Sequence, residues 1–190
     1  MTILHSIIPA LWLLFTVYWV ISARFAKRSV NRTARLKHVA VRAAILALVV
    51  IALSSATLRH GLRAAQIYQT SHALMIATGI ILVGLGLALA LSARLRLGRN
   101  WGMPMSQQED PELITSGPYA QVRHPIYSGI ILAMIGSAIG HSVAWTLPLI
   151  LVGAYFIYSA RREEENMCRQ FPGTYPAYMA RTNMLVPYLL

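Results

Sequence analysis

The sequence predicts an all-α integral membrane protein with about five transmembrane helices, and three observations support this prediction. Of the 190 residues, 56% are apolar and only 12% are charged, whereas a soluble domain has about 25% charged residues. The apolar residues are gathered in stretches that match a bilayer crossing, which needs roughly 20 residues as a helix. Lysine and arginine are concentrated beside these stretches. Because backbone polar groups in lipid must be paired within the segment, we expect the crossings to be helices.

The first 92 residues are predicted to form a scaffold of three spans. These run from Ile3 to Ile21, from Val39 to Leu58 and from Ala73 to Ser92. The first is interpreted as a span and not as a signal peptide, because a strongly basic segment follows it in place of a cleavage site. The third is rich in small residues, which let transmembrane helices approach closely. These small residues are Gly79, Gly84, Gly86 and Ala88.

The apolar run from Ile126 to Ala160 is too long for a single crossing. Gly140, His141 and Ser142 interrupt it near the middle, so the sequence predicts two slightly short helices joined by a tight turn. The chain is interpreted as one membrane domain over residues 1–190. Residues 93–190 are predicted to be its catalytic half, made of a loop, this helical hairpin and a cytoplasmic C-terminal helical cap.

The charge distribution predicts the orientation of the chain. Alternate connections carry fifteen of the 17 lysines and arginines, and the other connections carry two. Because basic connections stay in the cytoplasm, we expect the N-terminus outside and the C-terminus inside, in a prokaryotic inner membrane. The net charge of +11 lies beside apolar runs, where it suits anionic lipid, so no nucleic-acid partner is expected. The single cysteine and the spacing of the histidines predict neither a disulfide nor a metal site.

A polar segment, GPYAQVRHPIYSG, immediately precedes and enters the hairpin. Pro125 favours the first turn of a helix, which places His124 near the N-cap. The N–H groups of that helix end, together with Arg123, suit a carboxylate or a phosphate. Tyr119 and Tyr127 add aromatic faces for a base or a cation. The alternative is an interfacial anchor that contacts only lipid.

A second polar segment follows the hairpin and contains Glu163, Glu164 and Glu165. Successive residues of a helix point about 100° apart, so these three side chains cannot all face one place. We expect one or two of them to face the other helix of the hairpin and Arg123. The alternative is a solvated collar of glutamates paired with nearby arginines. The aromatic stripe further along is interpreted as packing; it comprises Phe171, Tyr175 and Tyr178.

The two polar segments, the hairpin between them, and FPGTYPAYMA with Val186-Pro187 near the end together resemble the isoprenylcysteine carboxyl methyltransferase family. They are also similar to the related phospholipid N-methyltransferases. The resemblance covers about Leu97 to Pro187. It implies an integral membrane enzyme that uses S-adenosylmethionine (SAM). The cofactor would be held in a cytoplasmic pocket beneath the C-terminal segment, and a lipophilic acceptor would enter from the bilayer.

The resemblance also implies roles for individual residues. Arg123 and Glu164 would be catalytic, with Glu164 near the acceptor, and Gln107 or Gln108 matches an upstream polar contact. Two positions depart from the family pattern. The chain has Phe171-Pro172 where the family usually has Phe-Gly, with Gly173 displaced by one, which could reshape the cap over the cofactor. The arginine expected before the glutamate pair has only Arg161 and Arg162 nearby, at a different offset. The implied cofactor contacts are Leu113, Ile114, Tyr119, His124, Pro125, Tyr127 and Glu163.

The class of acceptor stays open between two reactions. Carboxyl O-methylation of an isoprenoid-type acid or thioether is the first prediction, and N-methylation of a phospholipid headgroup is the alternative. Two other classes of function are weighed against methyl transfer. An NADPH-dependent sterol or isoprenoid reductase shares the layout of several spans but needs more arginines for the cofactor phosphate. A non-catalytic membrane component has no specific feature in its favour. The sequence does not specify the oligomeric state.

Overall fold

A computed structural model describes residues 2–24, 72–101 and 112–187. Within these ranges the chain is helical and contains no strand. The helices are α1 (Thr2–Ala23), α2 (Ala73–Leu97), α3 (Pro125–Gly140), α4 (Thr146–Gln170) and the short α5 (Tyr175–Met179). Three single 3-10 turns accompany them, at Gly98–Asn100, Gly117–Ala120 and Val143–Trp145. The all-α prediction is therefore confirmed for this part of the chain.

Two of these helices are long and apolar enough to cross a bilayer. They are α2, and α4 together with the turn before it (Val143–Gln170). The apolar helices Ser6–Ser22, within α1, and Pro125–Gly140 are shorter. The predicted span from Val39 to Leu58 lies outside the described residues, so the number of about five crossings stays a prediction.

The predicted hairpin is present, with one correction to its lengths. The break at Gly140, His141 and Ser142 is confirmed, because α3 ends at Gly140 and α4 begins at Thr146. Only α3 is short, with 16 residues, whereas α4 has 25 and continues past the predicted end at Ala160. The residues after Ala160 are mainly arginine, glutamate and other strong helix formers, so the helix persists where the apolar run stops.

The backbones of α2 and α3 are in direct contact through glycines. A Cβ atom placed on Gly86 would lie 2.4 Å from the carbonyl oxygen of Gly129. One placed on Gly79 would lie 2.4 Å from the Cα atom of Gly140. Gly84, on the same helix, would meet nothing within 4 Å. The close approach predicted from small residues is therefore made by Gly79 and Gly86, and not by Gly84.

Helix α1 packs against this pair near its middle and at its C-terminal end. The Trp12 indole N–H donates to the Ser137 hydroxyl at 2.9 Å, and its ring stacks on Trp145. At the C-terminal end of α1, Arg94 donates to the Ser22 carbonyl at 2.7 Å and also to the Gly98 carbonyl at 2.7 Å. The sequence assigned Arg94 to the connection after the third span, but it is buried within α2. Its guanidinium joins the ends of α1 and α2.

The chain after α4 returns to the start of α3. This returning part, residues 179–187, is called the C-terminal strap below. Its Asn183 carbonyl accepts from the Arg123 N–H at 2.9 Å, and its Met184 carbonyl accepts from the His124 N–H at 3.1 Å. The Ser128 hydroxyl donates to the Leu185 carbonyl. The strap thereby fixes the residues that lead into α3, which carry most of the predicted site.

Candidate active site

The hairpin brings the first turn of α3 next to the polar part of α4. His124 is the N-cap of α3 and Pro125 its first residue, as the sequence predicts. Because the two helices run in opposite directions, the beginning of α3 faces the later part of α4. Hydrogen bonds there join two pairs of residues that are 36 or more positions apart in the chain, Tyr127 with Glu163 and His124 with Glu164.

Glu164 forms a buried ion pair with Arg123. Its Oε1 atom lies 2.5 Å from the Arg123 Nε, and each side chain is only 10% exposed. The same oxygen lies 3.2 Å from the Nε2 atom of His124. Two positive or polar partners therefore compensate the removal of this carboxylate from water, which a buried charge requires.

Glu163 accepts hydrogen bonds from two hydroxyl groups. Its Oε1 atom accepts from the Tyr127 hydroxyl at 2.6 Å and from the Ser159 hydroxyl at 3.1 Å. Its Oε2 atom lies 3.6 Å from the Nδ1 atom of His124. The Glu163 side chain is 26% exposed, compared with 10% for Glu164. Of the two carboxylates in the cluster, Glu163 is thus the more accessible one.

The third glutamate points away from this cluster. Glu165 pairs with Arg162 at 3.2 Å, and both side chains are more than half exposed. The expectation that one or two of the three glutamates face the hairpin partner and Arg123 is therefore confirmed. Of the three glutamates, only Glu165 matches the alternative of a solvated glutamate paired with a nearby arginine.

The two predicted cofactor tyrosines lie among side chains of the chain itself. The Tyr127 ring is stacked on Phe156 with centroids 4.3 Å apart, and it lies parallel to the His124 ring at 5.4 Å. Tyr119 is buried in a core cluster that also contains Met184 of the strap. In this arrangement it is the hydroxyl of Tyr127, and not its ring face, that reaches the carboxylates. Their contact with a cofactor stays a prediction.

Three buried tyrosines around the strap remain neutral donors at ordinary pH. Burial raises the pKa of Tyr178 to about 12. Burial also raises the pKa of Tyr119, and burial followed by the charge of Glu164 raises that of Tyr175. The protonated Tyr178 hydroxyl donates to the Tyr119 carbonyl at 2.6 Å. The Tyr178 hydroxyl therefore connects α5, next to the strap, to the turn that contains Tyr119.

Arg123 binds the strap as well as Glu164. Its Nη1 atom donates to the carbonyls of Thr182 and Met179, in addition to the backbone bond to Asn183 described above. The resemblance assigned Arg123 to catalysis, and the structure places its guanidinium on groups of this chain. The backbone just before α3 is bound in the same way, because strap carbonyls accept from the N–H groups of Arg123 and His124.

The remaining predicted cofactor residues lie further from the polar cluster. Ile114 packs against the core cluster that contains Tyr119 and Tyr127, and Leu113 beside it is half-buried. Pro125 is buried at the start of α3. The suggested upstream contact at Gln107 or Gln108 falls outside the described residues.

Sequence reasoning missed Ser159, which contacts two members of the cluster. Ser159 is fully buried, and its hydroxyl lies 3.1 Å from Glu163 Oε1 and 3.3 Å from the Tyr127 hydroxyl. A signal for it was present, because residues four apart share a helix face and Ser159 precedes Glu163 by four. The strap contacts of Arg123 had no such signal, since their acceptors are backbone carbonyls.

Comparison with protein families gives one match that covers this site. A family model described as "Phospholipid methyltransferase" matches residues 74–173, just over half of the chain. The matched range extends from α2 to the end of α4 and includes Arg123, His124, Tyr127, Glu163 and Glu164. It ends before the strap begins.

Two curated proteins are also similar to this chain. The nickel-cobalt-cadmium resistance protein NccN of Alcaligenes xylosoxydans xylosoxydans is 33% identical over 120 residues, which covers 60% of this chain and 53% of that protein. The cobalt-zinc-cadmium resistance protein CzcN of Cupriavidus metallidurans is 35% identical over 97 residues, which covers 49% of this chain and 44% of that protein. The chain thus spans about half the length of the curated relatives it matches.

Proposed function

Because the chain belongs to the phospholipid methyltransferase family of membrane methyltransferases, we propose that it transfers a methyl group from SAM to a lipophilic acceptor. One observation carries this proposal beyond the family. Two adjacent glutamates of α4 lie in different environments, with Glu164 neutralised by Arg123 and Glu163 held by hydroxyls and more exposed. In this arrangement Glu163 can attract a cationic ligand, whereas Glu164 binds Arg123 and so helps to hold the strap in place.

The residues at Glu163 fit the chemistry of SAM. A sulfonium and an ammonium group are cations, and both are stabilised by a carboxylate and by aromatic side chains. Glu163 supplies the carboxylate, and His124, Tyr127 and Phe156 supply rings beside it. When bound, SAM provides a methyl group on a positively charged sulfur, which an acceptor displaces in line. The residues of the chain then contribute mainly positioning and exclusion of water.

The charges of the cluster favour an amine acceptor over a carboxylic acid. An acid would need a free cation, but the Arg123 guanidinium is bound by Glu164 and by two strap carbonyls. The arginines that precede the glutamate pair, Arg161 and Arg162, are exposed. Glu163 would also repel a second carboxylate. We therefore place N-methylation of a lipid amine, the alternative from sequence, ahead of carboxyl O-methylation.

An amine acceptor adds one requirement, which the cluster can meet. Amines are protonated at neutral pH, and the lone pair must be free before it attacks a methyl group. The Oε2 atom of Glu163 and the Nδ1 atom of His124 are adjacent groups able to take up that proton. The family match favours this chemistry over the reductase alternative.

The placement in the membrane follows the charge pattern. We place the C-terminus and the cluster at the cytoplasmic face of a prokaryotic inner membrane, with the N-terminus outside. The exposed arginines at the polar end of α4 support this orientation. The lipophilic acceptor would reach the cluster from the bilayer, with residues 1–92 as scaffold and residues 93–190 as the catalytic half of a single domain. No nucleic acid takes part.

The proposal is tested by binding and by the chemistry of the product. The purified protein in detergent is titrated with SAM and, in parallel, with NADPH in a calorimeter. It is then incubated with radiolabelled SAM and a total lipid extract. We expect SAM binding, no NADPH binding, and a labelled lipid whose methyl group survives mild base, as an N-methyl group does and a methyl ester does not.

Two variants connect the activity to the cluster. His124→Ala and Glu164→Ala are expected to abolish methyl transfer while remaining folded in detergent. If mild base releases the radiolabel as methanol, the product is a methyl ester and the acceptor is a carboxylic acid. Binding of NADPH alone would move the protein to the reductases, and full activity of both variants would remove the assignment of the site.

A further inference from the structure

Ser159 is a polar residue at a buried position of α4. It is fully buried, next to the buried Ala160, at a point where α4 faces α3. A hydroxyl removed from water destabilises a fold unless it is hydrogen-bonded. The Ser159 hydroxyl donates its one proton to the Oε1 atom of Glu163, and the Tyr127 hydroxyl lies 3.3 Å from it. Its hydroxyl is therefore bonded to Glu163, the more exposed of the two carboxylates in the cluster.

We propose that Ser159 is a positioning residue that, with Tyr127, fixes the carboxylate of Glu163 for a cationic ligand. The inference rests on the proposed function, in which that ligand is SAM. Two hydrogen bonds converge on Oε1, so the carboxylate is held in one orientation, with Oε2 on the side of His124. A glutamate without such bonds would sample several rotamers.

The two donors are themselves held in place. Ser159 is on the same helix as Glu163, one turn earlier, so their spacing is set by the helix. The Tyr127 ring is stacked on Phe156, which fixes the place of its hydroxyl. The Glu163 carboxylate therefore has a rigid attachment on both sides of the hairpin.

Neutral donors have a consequence that a charged partner would not have. Arg123 brings a positive charge to Glu164, whereas the hydroxyl groups of Ser159 and Tyr127 orient Glu163 without adding a counter-charge of their own. In a site of low dielectric, such a charge attracts a cation more strongly than it would in water. The expected effect of Ser159 is thus specific to the sulfonium charge: it strengthens binding of SAM and has little effect on an analogue that lacks this charge.

The test compares SAM with S-adenosylhomocysteine, which lacks the methyl group and the positive charge on sulfur. Dissociation constants for both ligands are measured by calorimetry on the full chain in detergent. For Ser159→Ala, we expect the preference for SAM over S-adenosylhomocysteine to fall about threefold to tenfold, the size of one lost hydrogen bond. The dissociation constant of S-adenosylhomocysteine should change by less than about twofold on the same scale. Ser159→Thr, which keeps the hydroxyl, should retain the preference.

A matched control and a coupling measurement separate positioning from packing. Ser137→Ala removes another fully buried hydroxyl, on α3, bonded to Trp12 and not to Glu163, and should leave the preference unchanged. Once Glu163→Gln has removed the charge, adding Ser159→Ala should lower the preference no further.

Three results would overturn the inference. Equal weakening of both ligands by Ser159→Ala would show that Ser159 does not act on the sulfonium charge, and unchanged affinity for both ligands would show that the bond does not matter. A further fall of the preference in the Glu163→Gln background would show that Ser159 acts through another group. If the unaltered protein binds neither ligand, the proposed function itself fails, and that outcome is recognised before any variant is made.

Discussion

The two sides of α3 are packed in different ways. On the side of α2, glycines place backbone against backbone, so that a single added Cβ atom would overlap the opposite helix at Gly86 or Gly79. On the side of α4, the contacts are made by side chains and include the polar cluster of His124, Tyr127 and Glu163. One face of α3 therefore leaves no room for adjustment, whereas the other carries the groups suited to chemistry.

The two faces of α3 therefore have different roles. The α2 contact fixes the position of α3, and so the positions of His124 and Tyr127 in its first turn. The α4 contact then depends on individual charges and hydroxyls, above all the pair of Arg123 and Glu164. Substitutions on the α2 side should reduce folding, and substitutions on the α4 side should reduce function with a smaller effect on folding.

The largest expected effect comes from Gly86→Ala. The new methyl group would lie 2.4 Å from the Gly129 carbonyl, and because both partners are backbone, the helices must separate. Overpacking of this kind costs about 3 kcal/mol or more. We expect a clear loss of folded, monodisperse protein in detergent and a lower midpoint in thermal unfolding.

Gly84→Ala is the matched control for this prediction. It makes the same change on the same helix, where a Cβ atom would meet nothing within 4 Å, and alanine favours helix over glycine. Its thermal midpoint should equal or slightly exceed that of the unaltered protein. If both variants had the same midpoint, close packing between α2 and α3 would not be the feature that holds α3.

A smaller effect on folding and a larger one on function is expected for Glu164→Gln. The substitution keeps the shape of the side chain and leaves the buried Arg123 without its counter-charge. A hydrogen bond to a charged group contributes about 2 kcal/mol, so the free energy of unfolding should fall by about that amount. We expect methyl transfer to be lost in the radiolabel assay.

Glu165→Gln is the corresponding control on the exposed face of α4. Glu165 pairs only with Arg162 among the ion pairs of the described residues, and both side chains are largely in water. Exposed pairs of this kind contribute little to stability, so both unfolding and methyl transfer should stay unchanged. Equal loss of activity in both variants would mean that the charge of the whole helix end matters, and not the buried pair.

Much of this comparison follows from spacing in the sequence. Apolar runs give α1 and α2, and the interruption at Gly140 gives the hairpin. Helical geometry requires that Glu163, Glu164 and Glu165 do not all face one place, and the structure shows that Glu165 is the one that faces away. The choice among glycines also has a pattern, because Gly79 and Gly86 are seven residues apart and share a helix face, whereas Gly84 does not.

Other features have no counterpart in the pattern of residues. Hydropathy indicates the end of the apolar run at Ala160, whereas the helix α4 continues to Gln170. The end of α4 was therefore predicted too early. The bonds from Arg123 to the strap are made to carbonyl groups, which every residue has, so no residue type marks them. The sequence does not show which faces of the Tyr127 ring are covered. In the fold, Phe156 stacks on one of them.

The smallest effect is expected at the strap, in Tyr178→Phe. The change removes the hydroxyl that donates to the buried Tyr119 carbonyl at 2.6 Å, a loss of about 1 kcal/mol near neutral pH. Tyr158→Phe, at an exposed position, is the control and should have no effect. Chemical unfolding in detergent, followed by tryptophan fluorescence, measures both.

The pH dependence of this difference tests its cause. The pKa of Tyr178 rises from 10.0 to about 12 on folding, because burial disfavours the phenolate. Below pH 10 the tyrosine is neutral in both states, and the stabilising bond is fully present. As the pH rises toward 12, the unfolded state releases its proton first, which favours unfolding. The advantage of tyrosine over phenylalanine should therefore shrink across this range; an advantage that stayed constant would mean that Tyr178 is not buried beneath the strap.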